Sequence, residues 1–278
     1  MIYLSARAVE PAEERSPTAA LLTARRWFSL RHTPSAEAAL ILAFYASYEA
    51  ARGLVTGTHQ SAIHRAHEIL TLERTLHLFA EPQVQHLARD VPGLLAAFSV
   101  AYLTLHLAIT GGVLIWFYCK RPEAFPLVRT TLIIASVLSL IGFLAFPTAP
   151  PRLAAIGLSD SVSHAAISLN HGLISSLYNP YAAVPSMHVA YALIVGTALA
   201  LYAPRAALRF AGALYPLFVL LLIVATGNHF FFDAATAVVV AAAGAVLALL
   251  LTQEQPAAEI PMLPPAPALA AAPLERAA

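Results

Sequence analysis

Residues 226–251 read TGNHFFFDAATAVVVAAAGAVLALLL, a polar cluster followed directly by a long apolar run. A helix that crosses the roughly 30 Å hydrocarbon core of a bilayer needs about 20 mostly apolar residues, because each residue advances it by about 1.5 Å. The run Phe230–Leu251 meets that requirement and predicts a membrane span. The polar residues from Thr226 to Asp233 are costly so close to a membrane, so they need a functional explanation.

The rest of the chain has the same apolar character. Of its 278 residues, 59% are hydrophobic and 11% are charged, whereas about 25% are charged in a typical soluble domain. This composition excludes an ordinary soluble globular protein. The net charge of +1 provides no concentrated basic surface, so no nucleic-acid partner is expected. The single cysteine, Cys119, cannot form an internal disulfide.

Six segments are long and apolar enough to be predicted as spans, so the predicted fold is all-α, a six-transmembrane helix bundle. They are Ala38–Val55, Leu94–Tyr118, Thr130–Phe146, Val184–Tyr202, Leu208–Thr226 and Phe230–Leu251. The predicted membrane domain covers residues 34–252. Residues 1–33 are predicted to be a disordered cytoplasmic arm, and the Pro- and Ala-rich residues 253–278 a disordered tail.

Residues 60–90, between the first two spans, are predicted to be an amphipathic helical segment that lies along the membrane interface. Pro82 is predicted to begin the second of two helices there. Topology follows from the basic residues, because cytoplasmic loops carry an excess of Lys and Arg. That excess, in which Lys120, Arg121 and Arg129 are counted in a cytoplasmic loop, falls on the side of the N-terminus. We therefore expect a multi-pass protein of the cell membrane with both termini in the cytoplasm.

Three polar clusters lie at the ends of the predicted spans. They are Phe146–Arg152 after the third span, Val184–His188 at the start of the fourth, and Thr226–Asp233 before the sixth. In the six-span topology all three emerge on the outer side of the membrane. Hydrophobicity alone placed the spans, so this coincidence independently indicates that the clusters form one site.

The residue types in these clusters indicate chemistry on a phosphate. His229 and Asp233 are four residues apart, a spacing at which the carboxylate can bond one ring nitrogen and leave the other as a base or nucleophile. His188 and Ser186 lie at a predicted helix start, where unpaired backbone N–H groups favour an anion. Arg152 adds a permanent charge that suits phosphate oxygens. An anion site beside two histidines and a carboxylate predicts phosphoryl transfer.

The three clusters resemble the motifs of the membrane-bound type 2 phosphatidic acid phosphatase superfamily. The closest likeness is to its branch related to inositol phosphorylceramide synthases, which are inositolphosphotransferases. Residues 147–152 (PTAPPR) are similar to that branch's first motif and Ala183–His188 (AVPSMH) to its second. Thr226–His229 with Asp233 resembles its third motif. The resemblance extends over roughly residues 40–250.

The resemblance implies a six-helix bundle and a metal-independent, cofactor-free reaction in two steps on a lipid phosphate or phosphodiester. His229 would form a phosphohistidine while Asp233 holds its ring. His188 would protonate the departing alcohol oxygen and then activate water or an acceptor alcohol such as inositol. Arg152 and the backbone around Ser186 would bind the phosphate oxygens. A nucleophile with an orienting carboxylate and a separate acid–base group divides such a reaction into two easier steps.

The chain departs from the wider superfamily at several positions. Leu222 and Ile223 stand where a serine–arginine pair precedes the third-motif histidine, and Met187 replaces the more common glycine of the second motif. The first motif also has no lysine ahead of its arginine. Fewer cations would therefore face the phosphate, which favours the synthase-like branch over a simple phosphatidic acid phosphatase.

Two other functions use the same residues. A transporter or proton-relay protein would use the cluster of His188, His229 and Asp233, but such proteins often show paired repeats, which this chain lacks. An intramembrane protease with Ser186 as nucleophile would need a glycine-rich nucleophile elbow, which the sequence does not contain. Both are less favoured than phosphoryl transfer.

Several other polar residues have structural explanations. Structural roles are expected for His106, His164 and His171. Glu49 and Arg52 are expected to pair with each other near the outer interface, with a supporting role at the site as the alternative. The histidines of the interfacial segment do not match a zinc signature, so no metal site is predicted at His59, His64 and His67.

Overall fold

The computed structural model describes residue 28 and residues 30–55, 58–162 and 179–252. In these ranges the chain forms eight α-helices and no β-strand, which confirms the all-α prediction there. The helices are α1 (Pro34–Gly53), α2 (His59–Thr75), α3 (Glu81–Asp90), α4 (Leu94–Lys120), α5 (Phe125–Ala145), α6 (Met187–Tyr202), α7 (Ala206–Ala225) and α8 (Phe231–Thr252). A short 3-10 turn, Pro151–Leu153, follows α5.

Parts of the sequence predictions fall outside the described residues. The predicted tail at residues 253–278 lies wholly outside them, and so does most of the predicted arm at residues 1–33. His164 and His171 also lie outside the described residues.

Four of the described helices, α4, α5, α7 and α8, are long and apolar enough to cross a membrane. Helix α6 is apolar but has 16 residues, a length of about 24 Å, because it begins after Ser186 rather than at Val184. Helix α1 has 20 residues but is not one of the four. The four apolar helices indicate a membrane protein, whereas a bundle of six spans stays a prediction.

The main core lies between α4, α5, α6, α7 and α8. Helix α6 packs most extensively against α7, and α8 against α5. A Cβ on Gly196 would lie 2.5 Å from the Gly212 carbonyl oxygen, so only small residues allow α6 and α7 to approach this closely. On the outer surface many large apolar side chains are exposed, among them Ile115 and Phe210, each at 67%. Such a surface suits contact with lipid rather than with water.

The predicted helical segment between the first two spans consists of α2 and α3. Pro82 lies in the first turn of α3, as predicted. Helix α2 packs through Ala62 and Ile69 against the loop that follows α5 and against Phe230. It therefore covers the end of the bundle at which α8 begins, while its position at a membrane interface stays a prediction.

Helix α1 runs beside α5 and is held near both of its ends. Near its start Glu37 forms a buried ion pair with Arg129 of α5. Near its end the Asn179 side-chain amide donates to the Arg52 carbonyl oxygen at 3.1 Å. This contact brings the end of α1 to the same end of the bundle as the three polar clusters.

Candidate active site

Backbone and side-chain hydrogen bonds join the three polar clusters at one end of the bundle. The Arg152 amide donates to the Gly227 carbonyl oxygen at 2.9 Å, and Arg152 Nε donates to Asn228 Oδ1 at 2.9 Å. The Ser186 amide donates to the Asp233 carbonyl oxygen at 3.0 Å. The first cluster is thus bonded to the third and the third to the second, so the structure brings together the stretches that the sequence predicts to form one site.

The turn between α7 and α8 makes these contacts possible. Gly227 has a φ of +66°, a left-handed conformation that favours glycine. A Cβ at Gly227 would also lie 3.3 Å from the Arg152 Cβ. The Asn228 side chain braces the turn by donating to Thr226 Oγ1 at 2.8 Å. Its position fixes the next residue, His229, at the entrance to α8.

His229 and Asp233 make the contact that their spacing predicts. The ring nitrogen Nδ1 of His229 lies 3.0 Å from Asp233 Oδ2, and the same oxygen accepts the Phe230 amide at 3.0 Å. A carboxylate only accepts hydrogen bonds, so Nδ1 carries the proton and Nε2 keeps its lone pair. Asp233 is fully buried and His229 is 4% exposed. The carboxylate therefore fixes both the tautomer and the orientation of the imidazole.

His188 lies in the first turn of α6 and faces α4. Its ring stacks on Tyr102, with ring centroids 4.2 Å apart, and its Nε2 lies 3.2 Å from the Tyr102 carbonyl oxygen. Because a carbonyl oxygen only accepts, Nε2 donates and Nδ1 is the nitrogen left for chemistry. The ring centroid of His188 is 5.9 Å from that of His229. A small group between the two rings can contact both.

A cleft opens beside these two histidines, and its wall includes residues for which structural roles were expected. Polar lining residues come from the end of α1, from α4 and from the segment before α6: Tyr45, Glu49, Arg52, Tyr102, His106 and Asn179. Glu49 and Arg52 form the predicted pair, at 3.2 Å. The His106 ring is 4.2 Å from the His188 ring. The sequence feature that could have placed Glu49 and Arg52 at the site is their charge within an otherwise apolar helix.

Arg152 and Ser186 lie behind this wall rather than on it. Arg152 donates to Asp160 Oδ2 at 2.8 Å in addition to Asn228, and Ser186 is fully buried. Neither residue lines the cleft, where the arginine among the described lining residues is Arg52. The phosphate-binding roles of Arg152 and Ser186 therefore stay predictions.

The histidines of α2 have partners of their own. His59 Nδ1 lies 3.0 Å from the Tyr181 hydroxyl, and His67 Nε2 lies 3.0 Å from the Ala154 carbonyl oxygen. In the part of the chain that the structure describes, no group of three or more His, Cys, Asp or Glu side chains is placed to hold a metal ion.

The sequence model of the PAP2 superfamily matches residues 67–247, which is more than half of the chain and includes all three polar clusters. The chain belongs to the PAP2 superfamily. Comparisons with curated proteins and with solved structures returned no match. Membership of the PAP2 superfamily, together with the four apolar helices, indicates a membrane protein of phosphatase or phosphotransferase type.

Leu222 and Ile223, the positions compared above with a serine–arginine pair, are buried in the core at 2% and 0% exposure. Helix α1, which carries Glu49 and Arg52, precedes the matched residues. One charged wall of the cleft therefore comes from outside the region by which the superfamily is recognised.

Proposed function

We propose that the protein is an integral membrane enzyme that transfers the phosphoryl or phosphodiester group of a lipid through a phosphohistidine, as a lipid phosphatase or phosphotransferase of the synthase-like branch. The observation that carries this proposal is the placement of two imidazoles on one cleft. Asp233 holds the ring of His229 through a 3.0 Å bond, and the His188 ring lies 5.9 Å away.

In the first step, the lone pair on His229 Nε2 attacks the phosphorus atom. A bond forms between Nε2 and phosphorus, and the bond from phosphorus to the alcohol oxygen of the substrate breaks. Protonated His188 gives its Nδ1 proton to that oxygen, so the alcohol leaves neutral. Asp233 accepts the Nδ1–H of His229 throughout and stabilises the positive charge that develops on the ring.

In the second step, water or an acceptor alcohol such as inositol replaces the departed alcohol. Its oxygen attacks the phosphorus as His188 Nδ1 takes its proton, and the phosphorus–nitrogen bond to His229 breaks. His229 returns to its neutral form and His188 to its protonated form. Hydrolysis and transfer differ only in the molecule that enters, and neither step uses a metal ion. We propose that the cleft opens on the outer face of the cell membrane.

Trapping of the intermediate tests this mechanism. Purified protein in lipid nanodiscs is incubated with a radiolabelled lipid phosphate, with and without inositol and with and without chelator, and acid-labile label on the protein is measured. We expect label on the wild type and on His188→Ala, which forms the intermediate slowly but also resolves it slowly. We expect none on His229→Ala, whose turnover falls on the order of a thousandfold or more.

The matched control is His64→Ala, because the His64 side chain is 75% exposed and lies outside the cleft. It should keep full turnover and full labelling. Full turnover by His229→Ala, or a loss of turnover with chelator, would contradict the mechanism. Movement of a solute across vesicles without release of phosphate or alcohol from any lipid would favour the transporter alternative.

A further inference from the structure

Three buried carboxyl groups bind three consecutive backbone amides at the start of α8. Asp233 Oδ2 accepts the Phe230 amide at 3.0 Å, as described above. Glu81 Oε1 of α3 accepts the Phe231 amide at 3.1 Å, and Glu73 Oε1 of α2 accepts the Phe232 amide at 2.7 Å. The Phe231 and Phe232 amides belong to the first turn of α8, where N–H groups have no partner within the helix, and Phe230 directly precedes that turn. The residue that directly precedes them is His229.

Glu73 and Glu81 are too deeply buried to be two independent carboxylates. Glu73 is 2% exposed and Glu81 is 0% exposed, and burial of two adjacent negative charges is strongly unfavourable. The second oxygen of each group, Oε2, is buried and has no conventional hydrogen-bond donor among the described residues. A proton held between the two carboxyl groups satisfies both oxygens and leaves one negative charge on the pair.

The titration of Glu73 agrees with this arrangement. Burial, together with the hydrogen bond to Glu81, raises the pKa of Glu73 to about 9. The titratable groups that face Glu73 are Glu81 on α3 and Asp233 at the start of α8, where Asp233 is bonded to His229. Both carboxyl neighbours disfavour a charge on Glu73, so the shared proton stays on the pair at neutral pH.

We propose that Glu73 and Glu81 form a carboxyl clamp that shares one proton and positions His229 by holding the Phe231 and Phe232 amides. The clamp rests on the proposed function, since it acts through the nucleophile, and its members are positioning residues. Glu73 comes from α2, which packs against Phe230 at the start of α8, and Glu81 comes from α3, which packs against α4 and α7. Neither glutamate lines the cleft. Loss of the shared proton leaves two adjacent buried charges, which separate and release the amides.

The sign of the pH dependence follows from the raised pKa. The folded protein keeps a proton that the unfolded chain releases above the ordinary glutamate value of 4.5. The stabilising contribution of the clamp is therefore complete below that value and is lost as the pH rises through about 9. We expect the start of α8 to loosen over the same range.

Amide hydrogen exchange tests the clamp without any substrate. Exchange in the peptide that contains residues 229–233 is measured on the purified full chain in nanodiscs between about pH 7 and pH 10, after correction for intrinsic exchange. In the wild type we expect protection of this peptide to fall by about tenfold or more across that range. Glu73→Gln should abolish the pH dependence, because its amide donates to Glu81 and its carbonyl accepts the Phe232 amide without a titrating proton.

The matched control is Glu68→Gln on the same helix, whose side chain is 44% exposed. It should follow the wild type. A second internal control is the peptide at the start of α5, residues 125–133, which lies at the opposite end of the bundle; its protection should be the same in Glu73→Gln as in the wild type. Constant protection of residues 229–233 in the wild type, or the same pH dependence in Glu73→Gln as in the wild type, overturns the proposal.

Activity supplies the second measurement. Glu73→Ala should lower kcat by about tenfold or more with little change in KM, and Glu73→Gln should restore most of that loss at pH 7. Equal losses of kcat in Glu73→Ala and Glu73→Gln contradict the positioning role. If His229→Ala retains turnover, the proposed function fails, while the exchange measurement still decides whether the clamp exists.

Discussion

At the end of the bundle where α1 and α5 begin, Arg129 and Glu37 form a buried ion pair, whereas at the opposite end buried carboxyl groups bond backbone amides and a histidine. Arg129 also donates to the carbonyl oxygens of Leu30 and Phe28 at 3.3 and 2.8 Å. A guanidinium stays charged at any physiological pH, so the positive partner of this ion pair is always present.

The opposite end uses groups whose protonation can change. Asp233 is bonded to the imidazole of His229, and Glu73 and Glu81 are bonded to backbone amides; in the proposed clamp the two glutamates also share a proton. Amide N–H groups stabilise a negative charge without adding a second ionisable group. One end of the fold is therefore held by a buried ion pair, whereas the proposed mechanism places proton transfer at the other end. Mutations at the end with the ion pair should therefore change mainly the free energy of unfolding, and mutations at the cleft should change mainly kcat.

The largest difference between the effect on activity and the effect on stability is expected for His188→Ala. Loss of the acid–base group should lower kcat by about 10²–10⁴-fold, while the melting temperature stays close to that of the wild type because the ring lies at the cleft. Turnover of a labelled lipid phosphate and thermal unfolding of the same preparation check this. His64→Ala again serves as the exposed control. If His188→Ala loses stability in proportion to its loss of activity, the expected difference between the two ends of the bundle is wrong.

For Arg129→Leu we expect the reverse, a loss of stability with little change in kcat. Removal of the guanidinium leaves Glu37 buried without its ion-pair partner and should lower the free energy of unfolding by about 3–5 kcal/mol. The kcat of the folded fraction should stay within about twofold of the wild type, since Arg129 is far from the cleft along α5. Denaturant titration measures the first quantity. The double variant Glu37→Leu/Arg129→Leu should recover most of the loss, and failure of both expectations would remove the basis for the comparison.

Gly142→Ala probes the backbone that joins the two ends through α5. A Cβ there would lie 2.6 Å from Pro185 Cδ, so the second polar cluster has to move. We expect a loss of about 1–3 kcal/mol in stability and a decrease in kcat. Gly112→Ala is the matched control, because nothing lies within 4 Å of a Cβ at that position, so the higher helix propensity of Ala should leave its stability unchanged or raised. A loss equal to that of Gly142→Ala would mean that the contact with Pro185 is not responsible.

Arg52→Gln should give the smallest effect, because the Glu49–Arg52 pair is partly exposed on the cleft wall, at 21% for each side chain. We expect KM for a lipid phosphate to rise on the order of fivefold to tenfold with little change in stability. Arg65→Gln is the matched control, since Arg65 pairs with Glu68 at the same sequence spacing but outside the cleft. Equal KM values for both variants would argue against a role of α1 in substrate binding.

The local features of the site were predictable from the sequence. The spacing of His229 and Asp233 predicted their contact, because residues four apart at a helix start face each other. The apolar runs predicted most helices, since a backbone in an apolar environment has to satisfy its hydrogen bonds internally. Helix ends shifted by a few residues, as at α5, which begins at Phe125 rather than at Thr130.

Long-range partners were not predictable in the same way. Arg129 was counted among the loop cations that set the topology, yet it is 1% exposed and paired with Glu37. Arg152 was predicted to face the phosphate, yet its guanidinium bonds Asn228 and Asp160. A charge in the sequence indicates that a partner exists, but the partner depends on which helices pack together.

The sequence by itself determined the helices, the three polar clusters and the bond between His229 and Asp233, because each depends on neighbours along the chain. Only the tertiary structure decided that Arg52 lies on the cleft wall and that Glu73 and Glu81 reach amides more than a hundred residues away. Those contacts arise from the packing of α1 against α5, of α2 against α8, and of α3 against α4 and α7. Such packing depends on the shapes of several helices at once, and no local pattern records it.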